Sequence, residues 1–281
     1  MSQIGFFRPE TIIEASDFLV ENPEARLVAG GTDLIVKWKN GLIPKVSHFV
    51  DLGELKLDRI RVKADKVIVG SACTMTQIAE NPDVCARYPA LVKAVLQVGA
   101  LQIRNLATIG GNVANASPAG DSIPALMSLE TRVVIAKGKK SRKISLDEFF
   151  ISPGKSILKP GEIIEAFEIP DRKTKGTFIK LGERLAHAIS KVSLALTMWE
   201  SSVGHQAYRI ALGAVAPKVI RCRRAEAILE ASSGFPSAEV IEQACKLAIE
   251  DATPIDDIRS VKEYRSKMVG VLLGKALEEL R

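Results

Sequence analysis

The chain has 281 residues, of which 47% are hydrophobic and 26% are charged, and its formal net charge is +6. Disordered chains combine low hydrophobicity with high net charge, so this composition excludes a disordered protein. The length allows a large core and predicts two domains.

The sequence also argues against several kinds of partner and site. No apolar run approaches the roughly 18 residues of a membrane-spanning helix, and the N-terminus lacks the features of a secretory signal. We therefore expect a soluble cytoplasmic protein with no membrane span.

The densest basic cluster, residues 137–143, predicts a solvated hairpin turn, and the dispersal of the other basic residues argues against nucleic-acid binding. The four cysteines and three histidines are also dispersed, so we expect small buried thiols, no disulfide and no metal site.

The first part of the chain mixes helices and strands irregularly. In chain order, the patterns first predict a helix at 8–22 with Pro9 in its first turn, followed by strands at 25–30 and 48–52. Two strands around a turn at Ala64–Asp65 come next, then a helix capped by Thr76 and a helix at 88–99. The last elements of this part are a helix at 122–129, a hairpin at 132–146 and a strand at 162–170. Because strands and helices do not alternate regularly, a doubly wound parallel sheet is not supported.

From about residue 173 the pattern changes. Three strands, at 176–183, 192–201 and 208–216, have short connections and predict an antiparallel meander, which is followed by helices at 237–251 and 261–280. The polar stretch 170–176 is typical of a linker, so we place a domain boundary there.

Two glycine pairs, in "GGTD" at 30–33 and "TIGGN" at 108–112, suggest exposed backbone. Glycine allows positive φ and close approach of another group, and successive N–H groups in such a turn form a concave anion site. Paired glycines also make simple tight turns. Two such stretches, each flanked by hydroxyl or amide side chains, favour a diphosphate. Asp121 is then either the N-cap of the helix at 122–129 or an acceptor for a sugar or ribityl hydroxyl.

The same stretches carry a family resemblance. "AGGTDL" at 29–34 and "TIGGNVANASPAGD" at 108–121 resemble the two flavin-binding signatures of the FAD subunit of molybdenum hydroxylases, the medium chain of carbon monoxide dehydrogenase and bacterial xanthine dehydrogenase-type complexes. The resemblance continues through residues 157–170, 178–196, 209–221 and 256–273. It therefore covers essentially the whole chain.

The resemblance implies an α+β fold with two domains. Residues 1–172 would form a two-part FAD-binding domain of the vanillyl-alcohol-oxidase (PCMH) type, with subdomains of about 1–57 and 58–172. Residues 173–281 would form a small C-terminal α+β domain with a three-stranded antiparallel sheet and helices.

The resemblance also implies a set of residues that bind FAD non-covalently. The first turn would surround the pyrophosphate, and the second signature would reach the flavin. The implied residues are Leu27, Val28, Ala29, Gly30, Gly31, Thr32, Asp33, Leu34, Ile103, Ala107, Thr108, Gly111, Asn112, Asp121, Ile163, Ile164 and Lys180.

Some of these residues have an alternative interpretation. Ile103, Ile163 and Ile164 could belong to the core, and Lys180 could be a surface lysine. Beside the isoalloxazine ring, Lys180 would stabilise the anionic reduced flavin and raise its potential.

The loop 184–190 departs from the family pattern. Where some members carry an acidic or aromatic residue beside the ring, this chain has Ala188 and Ile189, and we expect His187 to face solvent.

The implied function is electron relay. A large partner subunit would carry the molybdenum cofactor, and a small partner subunit would carry [2Fe–2S] clusters that pass electrons to FAD. The flavin would deliver electron pairs to NAD⁺, a quinone or O₂. Two alternatives remain open at this stage, a stand-alone flavin-dependent reductase of the same superfamily and a nucleotide-binding scaffold without a redox role.

Overall fold

A computed structural model of the protein describes residues 4–43, 45–184, 187–201, 205–232 and 234–281. The strands are β1 (Gly5–Phe7), β2 (Arg26–Val28), β3 (His48–Asp51), β4 (Ile60–Val62), β5 (Lys66–Gly70), β6 (Arg132–Lys137), β7 (Lys140–Ser145), β8 (Phe150–Ser152), β9 (Lys155–Ser156), β10 (Ile163–Pro170), β11 (Lys175–Leu181), β12 (Val192–Glu200), β13 (Gln206–Gly213) and β14 (Ile220–Arg221). The helices are α1 (Ile12–Glu21), α2 (Leu34–Lys39), α3 (Met75–Glu80), α4 (Pro82–Arg87), α5 (Pro89–Leu96), α6 (Leu101–Arg104), α7 (Ile109–Ala114), α8 (Ser122–Ser128), α9 (Arg223–Glu230), α10 (Ala238–Asp251) and α11 (Lys262–Leu280).

Among these residues, no helix combines the length and the apolar character that crossing a bilayer requires.

The N-terminal unit is a three-stranded parallel sheet in the order β1-β3-β2. Helix α1 begins later than the sequence pattern predicts, because Thr11 is its N-cap and its hydroxyl accepts the Glu14 N–H at 3.2 Å. Pro9 therefore precedes the helix and does not lie in its first turn. Strand β2 ends at Val28, so the first glycine pair lies directly beyond the carboxyl end of a strand.

The second unit is a five-stranded antiparallel sheet in the order β4-β5-β10-β6-β7. Its core contains fully buried Ile109 of α7, Leu126 of α8 and Phe167 of β10. Helix α3 is capped by Thr74 and not by the predicted Thr76. Thr74 and Gln77 form a reciprocal capping box, which satisfies two backbone donors at once.

The C-terminal sheet has four antiparallel strands in the order β11-β12-β13-β14, where the sequence predicts three. Strand β14 has only two residues, too few to show the alternation that identifies a strand. The eight-residue helix α9 was also missed.

Both faces of the C-terminal sheet are covered. Large residues on one face of β12, including Leu194 and Leu196, pack in a core with α9, α10 and α11. On the other face, small residues such as Ala195 and Thr197 lie against α8, and Thr197 is hydrogen-bonded to Ser128 at 2.8 Å. This packing holds the β11–β12 hairpin against the beginning of α8.

Each of the three larger sheets takes its strands from one of the segments 1–57, 58–172 and 173–281. The exact boundaries between the segments stay predictions.

The first glycine turn is pressed against the second unit. A Cβ atom at Gly30 would lie 1.8 Å from the carbonyl oxygen of Leu106 and 3.1 Å from the backbone nitrogen of Ala107. No side chain fits there, because both opposing atoms belong to the backbone. Gly30 therefore permits the contact that brings residues 27–34 and 103–112 together.

We expect Gly30→Ala to separate this contact and to lower the free energy of unfolding by about 1–3 kcal/mol, as overpacking does elsewhere. Gly274→Ala is the matched control, because Gly274 lies in α11 with open space around it. The Gly274→Ala change should instead raise the free energy of unfolding by about 0.5–1 kcal/mol. Thermal and urea unfolding measure both, and a Gly30→Ala protein as stable as wild type would contradict the contact.

Candidate cofactor site

A cavity of about 560 Å³ lies where the first glycine turn meets the second unit. All of the predicted residues from Leu27 to Leu34 line it. The predicted residues Ile103, Ala107, Thr108, Gly111 and Asn112 line the opposite wall. The structure thus brings together thirteen predicted residues from two segments, 27–34 and 103–112, that are far apart in the sequence.

The first glycine turn presents unused backbone donors to this cavity. Gly31 has φ +67°, a left-handed conformation that few other residues adopt. The N–H groups of Gly31, Thr32 and Asp33 donate to no acceptor within the described part of the chain. Neighbouring amides that converge in this way suit an anion.

The second glycine stretch is a short helix, α7, and not the exposed turn that the sequence suggests. Its first backbone donors are already used: Ile109 donates to the Cys73 carbonyl at 3.0 Å, Gly110 to the Ser71 carbonyl at 2.8 Å, and Gly111 to the Thr108 hydroxyl at 3.1 Å. The prediction of a second backbone anion site is therefore wrong. This stretch offers the cavity side chains and a glycine surface instead.

The cavity wall also contains a cation, Lys37, that was not predicted from the sequence. Lys37 of α2 lines the cavity, and its ammonium lies 2.6 Å from Asp33 Oδ2 and 2.6 Å from Asn115 Oδ1. The side chain remains 41% exposed, so it can reach a ligand. The only sequence signal was the spacing of Asp33 and Lys37, which places them on one face of a helix.

A second cavity, also about 560 Å³, adjoins the first along the segment 97–104. Val98 and Ile103 line the first cavity, whereas Gln97, Gly99 and Arg104 line the second. Its other wall is the β11–β12 hairpin of the C-terminal domain.

The predicted Lys180 lies in this second wall and is paired with the predicted Asp121. The Lys180 ammonium is 2.5 Å from Asp121 Oδ2, and both side chains are only 8% exposed. Ser190, fully buried, donates to Asp121 Oδ1 at 2.6 Å. Lys180 is therefore not a surface lysine, and Asp121 does not cap α8 with its side chain.

Burial raises the pKa of the Asp121 carboxyl above its ordinary value, although the Lys180 charge and the hydrogen bonds from Lys180 and Ser190 act in the opposite direction. Desolvation penalises the charged form more than these partners favour it. This carboxyl therefore binds a proton more readily than an ordinary aspartate.

Two predicted residues do not reach either cavity. Ile163 and Ile164 of β10 are 1% and 6% exposed, pair with β6 and line neither cavity wall. Both residues therefore lie in the sheet and core, and their contact with the cofactor stays a prediction. Ile103 differs, because it is 39% exposed beside the first cavity and so is not a core residue.

The loop that differs from the family pattern borders the second cavity. His187 and Ala188 line it, and Ile189 is 62% exposed. Leu185 and Ala186 lie outside the described residues.

The cysteines are only partly as predicted. Cys73 and Cys222 are buried, and burial raises the pKa of the Cys73 thiol to about 12, but Cys85 is exposed. Within the described ranges, no three His, Cys, Asp or Glu residues are grouped as metal ligands.

Comparison with known proteins identifies the family. Residues 2–172 match the FAD binding domain in molybdopterin dehydrogenase, and residues 178–280 match the CO dehydrogenase flavoprotein C-terminal domain. The chain belongs to this FAD-binding family of molybdopterin dehydrogenases. It is thus a flavoprotein of an oxidoreductase family, and the fold class and the cofactor FAD predicted from the sequence are confirmed.

Relatives of this family match over most of the chain. The xanthine dehydrogenase FAD-binding subunit of Escherichia coli is 29% identical over 281 residues, which cover 98% of this chain and 95% of the relative. The nicotinate dehydrogenase FAD-subunit of Eubacterium barkeri is 36% identical over 200 residues, 68% of this chain and 67% of that protein. A chain of the CO dehydrogenase from Oligotropha carboxidovorans has a TM-score of 0.93 with 26% identity, and the match covers 99% of this chain and 98% of that one.

We expect Gly31→Val to release FAD while the fold is retained, because a β-branched residue is strained at φ +67° by about 1–3 kcal/mol and would turn the free amides away. Gly31→Asn is the matched control, since asparagine tolerates the left-handed region. The ratio of flavin to protein after gel filtration measures the effect. A Gly31→Val protein with full flavin content would rule out this role for the turn.

We expect Lys37→Met to raise the Kd for FAD about tenfold, the loss of one charge-assisted hydrogen bond. The affinity of the variant should also depend less on salt, because one screened attraction is gone. Lys39→Met is the control: Lys39 is exposed on the same helix and lines neither cavity. Fluorescence titrations at low and high salt measure both, and equal effects of the two changes would exclude a specific contact.

Proposed function

We propose that this protein is the FAD-carrying electron-transfer subunit of a molybdenum hydroxylase complex, with the diphosphate in the first cavity and the isoalloxazine ring in the second. The observation that supports this most is that the segment 97–104 contributes residues to the walls of both cavities. The first cavity offers free backbone amides and Lys37, and the second offers a buried lysine. FAD has two matching groups, a dianionic diphosphate at its centre and, at one end, an isoalloxazine ring that becomes negative on reduction.

Each group in the walls has a distinct task in this proposal. The amides of Gly31 to Asp33 would bind phosphate oxygens, and Lys37 would exchange contacts with Asp33 for contacts with phosphate. Ile103, 39% exposed, would cover an apolar part of the cofactor. When bound, FAD supplies the ability to accept electrons singly and to release them as a pair.

We propose partners of two kinds, an iron–sulfur small subunit and a large subunit with the molybdenum cofactor. The relatives support this, because several are named as subunits or medium chains of dehydrogenases. We also propose a cytoplasmic location, which suits four cysteines that form no disulfide.

For the electron acceptor we propose NAD⁺ rather than a quinone or O₂. Since Lys180 is balanced by Asp121, the second cavity carries Arg104 and Arg184 against the single carboxylate of Glu183 in its lining among the described residues. A surplus of cations favours an anionic dinucleotide, because it raises the local concentration of the ligand. A neutral quinone or O₂ gains nothing from these charges.

Anaerobic titration of the FAD-loaded chain with NADH tests this function, since reduction by NADH is the reverse of delivery to NAD⁺. We expect NADH to bleach the flavin. Arg184→Gln should slow this bleaching and leave reduction by dithionite unchanged. Arg223→Gln, exposed and outside both cavities, should change neither.

The other outcomes discriminate among the alternatives. A flavin that dithionite but not NADH reduces would reject NAD⁺ and retain the relay. Full turnover of an organic substrate by the isolated chain would favour a stand-alone reductase. Protein that stays colourless after FAD is added would favour the scaffold without a redox role.

A further inference from the structure

The buried pair of Lys180 and Asp121 has one donor left for a ligand. Two of the three ammonium N–H groups are engaged, one by Asp121 Oδ2 at 2.5 Å and one by the Gln97 carbonyl at 3.1 Å. The third has no acceptor among the residues that the structure describes. Lys180 lines the second cavity, and Asp121 Oδ2 lies directly against its ammonium.

The Lys180–Asp121 pair determines the charge balance of the site. One cation and one carboxylate, each 8% exposed, are neutral together. A reduced flavin anion in the second cavity would add a second negative charge beside the same ammonium. At low dielectric, the Asp121 carboxylate and the reduced flavin would repel each other, because both share one cation. The repulsion raises the pKa of each group, and the weaker acid then takes up a proton.

Asp121 is the carboxyl most disposed to do this. Burial already raises its pKa, and Ser190 and Lys180 hold both of its oxygens in place. Glu183, the carboxylate in the cavity wall, is 61% exposed and lies 3.7 Å from Lys191. Water and ions screen Glu183, so a charge in the cavity affects it less.

The other charged groups around α8 are engaged elsewhere. Lys93 of α5 is paired with Glu279 of α11. Arg209 of β13 pairs with Glu130 at 2.6 Å and with Glu230, beyond the opposite end of α8. The neutral Asn112 of α7 accepts from Ser122 at 2.7 Å.

The second cavity itself adds three exposed or engaged groups. Arg104 of α6 donates to the Gly99 carbonyl at 3.0 Å. Arg184 is exposed and donates to the His187 carbonyl at 3.1 Å, and His187 is exposed too. None of these groups has a short contact with Asp121 among the hydrogen bonds and ion pairs of the described residues.

We propose that Asp121 takes up one proton when two electrons enter the flavin and releases it when they leave. This rests on the proposed position of the isoalloxazine ring. The electrons come from the iron–sulfur partner, or from dithionite in a test. Bound FAD would accept both electrons and one of the protons. A second proton from solvent forms an O–H bond on the Asp121 carboxylate, and the Lys180 ammonium keeps its protons. Ser190 acts as a positioning residue that stabilises the carboxylate form.

Potentiometric titration of the full FAD-loaded chain at a series of pH values tests this. For a two-electron couple, each proton taken up lowers the potential by about 30 mV per tenfold fall in proton concentration. Asp121→Asn keeps the shape of the side chain but cannot take up a proton. The slope of the potential against pH should therefore become shallower by the contribution of one proton, about 30 mV per pH unit. Glu183→Gln, in the same cavity wall, should keep the wild-type slope.

Two further readouts do not depend on that variant. The reduced-minus-oxidised infrared spectrum should show the C=O stretch of a protonated carboxyl in wild type and in Glu183→Gln, and not in Asp121→Asn. The slope of the potential against pH changes at the pH where Asp121 titrates. Ser190→Ala should move this pH to a higher value, because the carboxylate loses a stabilising hydrogen bond.

The outcomes separate this inference from the proposed function. A slope and an infrared band that survive in Asp121→Asn, or that vanish in Glu183→Gln, would overturn it while the flavin remains bound. If Asp121→Asn loses the flavin, the absence of the carboxyl band in wild type or an unshifted Ser190→Ala profile would overturn it instead. A wild-type chain that binds no FAD would contradict the site itself.

Discussion

The site depends on how closely the C-terminal sheet approaches α8. Strand β12 presents small residues on the face toward the FAD-binding domain, including Ala195 and Thr197, and large apolar residues on the face toward its own helices. Small side chains allow a helix to pack closely, and the opposite face anchors the sheet in a separate core. The second cavity exists because this contact holds the β11–β12 hairpin beside the start of α8.

The contact also explains why a buried charge pair is tolerated. Asp121 comes from the FAD-binding domain, and Lys180 and Ser190 come from the C-terminal domain. Each carboxylate oxygen has one donor, so burial leaves no oxygen without a partner. The pair therefore links the two domains beside the second cavity.

The two cavities share an electrostatic arrangement. In each, a lysine in the wall is paired with a carboxylate of the same chain, Lys37 with Asp33 and Lys180 with Asp121. The difference is exposure, since the first pair is about half exposed and the second is buried. The first pair can exchange partners at little cost because water screens it, whereas burial makes an uncompensated charge at the second pair costly.

Local sequence was sufficient for much of this protein. Alternating and helical patterns predicted most of the longer elements, and the glycine signatures identified the walls of the first cavity, because both features arise within a few neighbouring residues. The family resemblance added Asp121 and Lys180, which no local pattern connects. Patterns failed for β14, which is too short to alternate, and for the cap of α3, where Thr74 and Thr76 differ only in which one meets a glutamine three residues later.

What only the tertiary structure decided is where hydrogen-bond donors end up. In sequence the two glycine pairs look equivalent, yet the amides of the first remain free while those of the second bond to Ser71, Cys73 and Thr108. Ile163 and Ile164 likewise pair with β6 in the sheet, which their apolar character alone did not decide. Sequence determines which groups a segment can offer, but whether they are used by the protein or left for a ligand depends on neighbours that are distant along the chain.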